Sequence, residues 1–133
     1  MKGDVLLQNV QVLGFVPATA GRNVKEDKKK IRHVVETKLG KNIANVRNRC
    51  ATKPLSINVT FFLQKDSTHA KKDLDGLSNV LLDVLAKEMS AGKEAGLDII
   101  NSDNIYRFVF EKKIVSSQEN EGLAFTIYEW AQS

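Results

Sequence analysis

The chain has 133 residues, 42% of them hydrophobic and 27% charged, with 20 lysines and arginines against 16 acids and a net charge of +4. That length suits one domain with a single core, and no apolar run approaches the roughly 20 residues of a spanning helix. A single cysteine, Cys50, excludes an internal disulfide and fits a reducing, intracellular setting. The basic excess favours a polyanionic partner only weakly, since many proteins with such an excess bind none.

No repeat, low-complexity tract or proline-rich linker divides the chain, so residues 1–133 are taken as one domain. The start, "MKGDVLLQNVQV", alternates and carries an early acid, unlike a secretory leader. Residues 5–16 are rich in valine and leucine and end at Pro17, which predicts a first strand. After the loop "ATAGR", Val24, Ile31, Val34, Val35 and Leu39 recur at helical spacing. They predict a helix from Asn23 to about Leu39 that stops at Gly40. Its solvent face would be basic through "KEDKKK" (25–30).

Residues 41–54 are polar and basic without a clear period and read as a loop or edge segment. In "LSINVTFFLQ" (55–64), Leu55, Ile57, Val59, Phe61 and Leu63 alternate with smaller or polar residues, the clearest strand in the chain. A second helix is expected over about 74–91, burying Leu74, Leu77, Leu81, Leu85 and Met89, with Gly92 and Gly96 beyond it. Residues 104–115 and 122–130 read as two strands joined by "SSQENEG" and hence as antiparallel neighbours. The order is strand, helix, strand, helix, strand, strand. It predicts an α/β (α+β) fold, a mixed sheet of about four strands packed with two main helices.

Carboxylates gather at the second helix. Asp73 and Asp75 stand at its start, where unpaired N–H groups and the helix dipole favour anions. The simple reading is that Asp73 caps the helix, Asp75 decorates the first turn, and Asp75, Asn79, Asp83 and Lys87 form a solvated stripe. Asp103, in "IINSDNIY" at the entrance to a strand, offers another. Together these acids would make a hard, all-oxygen site suited to Mg²⁺ or Mn²⁺. Such an ion polarises a phosphoryl oxygen and activates water, with adjacent lysines steering the phosphate.

These residues resemble a known family. "KKDLDGLSNVLLDVL", then an aspartate before a strand, then a closing strand like "LAFTIYEW", is similar to the RusA family of Holliday junction resolvases. The resemblance covers about residues 55–130. It implies that Asp73, Asp75 and Asp103 are the catalytic, metal-binding aspartates, that Lys72 is the basic residue before the first of them, and that Asp83 plays a supporting part. It also implies Mg²⁺, with Mn²⁺ possible as a substitute, a branched-DNA substrate and a homodimer, while the lack of a long apolar run implies no membrane. The chain departs from the pattern at Gly76, where Asn is usual, at Ser102, which replaces an acid, and at Asn79, where the family has an active-site lysine. The link "KEMSAGKEAG" is longer than usual and leaves Asp98 as a second candidate for the third ligand.

Lys28, Lys29, Arg32, Arg47, Arg49, Lys71 and Lys72 are the expected nucleic-acid contacts, although a basic helix face is usually just solvated. His69 and Cys50 lack any partner motif and read as incidental. The expected function is thus a cytoplasmic, DNA-associated, metal-dependent endodeoxyribonuclease. The alternatives are a branched-DNA-binding protein that keeps the fold without turnover, and a structural protein whose acids merely cap a helix.

Overall fold

The computed structural model describes residues 2–18, 23–65, 72–86, 88–89 and 94–131. Strand β1 (Lys2–Leu13) leads to helices α1 (Asn23–Leu39) and α2 (Ile43–Ala51), then to β2 (Leu55–Gln64) and α3 (Leu74–Leu85). A short pair, β3 (Glu88–Met89) and β4 (Glu94–Ala95), precedes β5 (Ile105–Val115) and β6 (Gly122–Trp130).

The main sheet has four strands in the order β1-β6-β2-β5. β6 runs antiparallel to both β1 and β2, whereas β2 and β5 are parallel. Parallel strands need a crossover, and α3 supplies it between β2 and β5. The apolar alternation of β2 determines its central place. Leu55, Ile57, Val59, Phe61 and Leu63 are each 2% exposed or less and share one core with Ile31 and Val35 of α1 and Leu77, Leu81 and Leu85 of α3. The mixed sheet and its two main helices are those the sequence patterning predicts.

Three expectations are corrected. Residues 41–54, expected as a loop or edge segment, are mostly helical: Gly40 adopts φ +52°, a 3-10 turn lies at Gly40–Asn42, and α2 runs from Ile43 to Ala51. Val46 and Cys50, one turn apart, are its buried side. Two core positions among many polar ones give too short a period to stand out.

The second helix ends at Leu85 rather than near residue 91. Returning residues 97–100 take up its last carbonyls: Leu97 N–H donates to Val84 O, and Ile99 and Ile100 N–H both donate to Leu85 O, at 2.8–3.1 Å. A helix end leaves such carbonyls without partners, so this return is a cap made of backbone. Leu97, Ile99 and Ile100 are all buried in the core.

The last two strands are not neighbours either. β2 lies between them, so β5 and β6 run in opposite directions without sharing a ladder. Spanning one intervening strand requires about 10 Å. The six residues 116–121 reach that far, including a 3-10 turn at Gln118–Asn120.

Candidate carboxylate site

Asp73 is the N-cap of α3. Its extended backbone (φ −70°, ψ 129°) lets a carboxylate oxygen accept the N–H of Asp75 at 3.1 Å, while its carbonyl accepts from Leu77 N–H. The capping reading of Asp73 therefore holds. Asp75 is exposed in the first turn, and Asp73 is exposed as well. The cap engages one oxygen of Asp73, so the two side chains together still present carboxylate oxygens to solvent. Asn79 is exposed one turn further along α3.

Asp103 does not join them within one chain. β2 and β5 are parallel, so the crossover helix α3 runs back against both, starting beyond their C-terminal ends. Its last turn accepts bonds from residues 97–100, and Asp103 follows directly in a 3-10 turn at the entrance to β5. Asp73 and Asp75 thus lie at one end of α3 and Asp103 at the other. The 12 residues of α3 separate them by on the order of 18 Å. Asp98 fails with Asp103, because its N–H bonds to Ala86 O at that same far end. Among the described residues, no group of three or more His, Cys, Asp or Glu side chains could hold a metal ion. Within one chain the structure brings Asp73 and Asp75 together and leaves Asp103 at the opposite end of α3. A strand parallel to β2 must begin at the end remote from the start of α3, and an assumed β5–β6 hairpin concealed that.

The basic residues are also redistributed. Lys28 is 7% exposed, and its ammonium lies 2.6 Å from Asp83, a strut between α1 and α3. It is therefore not a surface contact for nucleic acid, and Asp83 supports the helix pair. Lys72 donates to Pro17 O at 2.8 Å. Burial lowers the pKa of Lys72, against the opposing pull of Asp27 and Glu121. Lys29 sits 3.7 Å from Glu26, and Arg32 is 2.9 Å from Glu36. Arg47 donates through Nε to Leu97 O, placing it at the Asp103 end, and Arg49 donates to Val5 O. Lys71, Lys87 and His69 lie outside the described residues.

Sequence reasoning missed Glu121. It is 3% exposed, accepts the N–H of Gln64 at 2.9 Å and adds negative potential around Lys72. In "SSQENEG" it looks like any solvated turn acid. Cys50 is 1% exposed, and burial pushes its thiol up to about 11 despite the nearby cations Arg49 and Lys53. It is no nucleophile at neutral pH.

No protein-family model matches this chain, and comparison with curated proteins and with solved structures gives no match. No helix among the described residues is long and apolar enough to cross a membrane.

Proposed function

We propose that this chain is one subunit of a homodimeric, metal-dependent endodeoxyribonuclease of the RusA type, acting on four-way DNA junctions. The observation that carries this reading is the exposed Asp73–Asp75 pair at the start of α3, set in "KKDLDG" and followed in order by Asp83 and Asp103. The pair suits a hard cation, whereas the three aspartates of one chain do not fit a single ion. A complete site accordingly requires two chains, with Asp73 and Asp75 from one and Asp103 from the other. That is a physical reason for the dimer, beyond the two nicks a junction needs. Bound there, Mg²⁺ would supply Lewis acidity toward a phosphoryl oxygen and a more acidic water. Lys72 would place positive charge beside the incoming phosphate, and Lys29, Arg32 and Arg49 would neutralise the DNA backbone. An intracellular, DNA-associated location follows from the same reading.

A second reading, a branched-DNA-binding protein without turnover, is favoured by Asn79, exposed where the family has its lysine. Nicking of a labelled synthetic four-way junction with Mg²⁺, Mn²⁺ or EDTA, beside Asp75→Asn, separates the two. Paired metal-dependent nicks that vanish in the variant support the nuclease. Tight junction binding that ignores EDTA and yields no nicks transfers the assignment to the binding protein.

A further inference from the structure

A cleft of about 350 Å³ opens beside the Asp103 end of the sheet, lined by Arg47 and Ala51 of α2 and by Asp98, Ile100, Asn101 and Asn104 of the segment entering β5. That volume lies within the range of small-molecule sites, roughly 300–1,000 Å³. Its charges balance, one guanidinium against one carboxylate, so it is not built for a bare polyanion.

The side chains are held in place by bonds to backbone. Arg47 Nε–H is taken by Leu97 O at 2.7 Å, which restrains the guanidinium and leaves its terminal nitrogens as the remaining donors of a residue that lines the cleft. Asn104 Nδ2 donates to Ala51 O at 3.1 Å, and Asn101 Oδ1 accepts the N–H of Asp103. Asp98 adopts φ +55°, an unusual conformation for a residue other than glycine, while its N–H is tied to Ala86 O at 3.0 Å. Asp98 is exposed and lines the same cleft as Arg47.

From this arrangement we infer that the cleft binds a guanine base. A carboxylate accepts two parallel N–H bonds, and a guanidinium donates two. Guanine alone among the DNA bases presents two adjacent donors, N1–H and the 2-amino group, next to two adjacent acceptors, O6 and N7. Asp98 takes the donor pair and Arg47 the acceptor pair, with Ile100 and Ala51 against the ring. Adenine would set its N1 lone pair against the Asp98 carboxylate, and that repulsion excludes it. The inference extends the nuclease reading by adding a base-recognising surface, but it does not depend on cleavage or on a metal.

The test is a titration of the isotope-labelled full chain by NMR with dGMP, dAMP, dCMP, dTMP and inorganic phosphate. Saturable shifts at the Asn101 and Asn104 side-chain amides and Arg47 Nε are expected with dGMP, at least tenfold tighter than with the other nucleotides. Asp98→Asn should weaken dGMP tenfold or more and admit xanthosine monophosphate, whose C2 carbonyl accepts where guanine donates. Asparagine tolerates φ +55°, so this variant keeps its fold. Equal shifts with every nucleotide, phosphate acting as strongly as dGMP, no saturation, or an Asp98→Asn protein that still prefers dGMP would each overturn the inference. A short thymidine oligonucleotide with one central guanine assigns the source. Binding tighter than dGMP marks a base within a strand, and weaker binding marks a free nucleotide. Neither Asp75 nor a divalent metal enters this titration, so its failure leaves the nuclease reading untouched, and the reverse.

Discussion

Replacing Lys28 by methionine distinguishes a structural lysine from a DNA contact. The side chain is 8% exposed and its ammonium sits 2.6 Å from the Asp83 carboxylate, which is 25% exposed. Methionine keeps the apolar stem and removes only the charge. Breaking a fully buried pair costs about 3–5 kcal/mol, because the remaining charge stays uncompensated. Asp83 retains some water, so Lys28→Met should cost about 2–3 kcal/mol. Asp83→Asn strands the more deeply buried ammonium and should cost about 3 kcal/mol or more. The double variant Lys28→Met/Asp83→Leu removes both charges and should be more stable than the sum of the two single losses predicts. The assay is urea unfolding, read as a shift in midpoint at constant slope. Junction affinity and its salt dependence should be unchanged in the double variant. The reasoning is refuted if Lys28→Met leaves the unfolding midpoint in place while flattening the salt dependence of DNA binding, because that pattern belongs to a phosphate contact.

Two further outcomes follow from the fold. Cys50 is held protonated in the native state up to about 11, against an ordinary value of 9.0. The unfolded chain therefore releases this proton first, and stability should fall as pH rises from about 9 to about 11, by up to roughly 2–3 kcal/mol. Urea unfolding across that range should show the loss, and Cys50→Ala should abolish this part of it. At neutral pH the thiol should react with a disulfide reagent only on unfolding. Gly122, which opens β6, adopts φ +147°, and a Cβ there would lie 2.1 Å from Val12 O. Gly122→Ala should thus cost about 2 kcal/mol or more, and an unchanged thermal midpoint would contradict the β1–β6 register.

The parts of the fold that were legible in the sequence are those with long, unambiguous periods. β2 alternates over ten residues and α1 repeats over seventeen, so burial alone dictates both. α2 was hidden because only Val46 and Cys50 of its nine residues are buried. The end of α3 was hidden for a different reason. Leu97, Ile99 and Ile100 cap it from a returning segment, and no local propensity records a contact made by chain that comes back. The candidate site followed the same division. Asp73 as a cap was readable from its type and position, whereas the gap between Asp75 and Asp103 depends on β5 pairing parallel to β2. Lys28 and Asp83 each looked solvated alone, and only the packing of α1 against α3 makes them a pair.

The central claim is that one complete carboxylate site needs two chains, and co-expression of Asp75→Asn with Asp103→Asn tests it most directly. Each variant alone should fail to nick a four-way junction in Mg²⁺. In a mixed dimer, one of the two sites combines an intact Asp75 from one chain with an intact Asp103 from the other. Random pairing then restores roughly a quarter of the wild-type sites, and single nicks should reappear. A co-expressed pair as inactive as its separate components, or an Asp103→Asn protein that cleaves like the parent, would contradict the shared site.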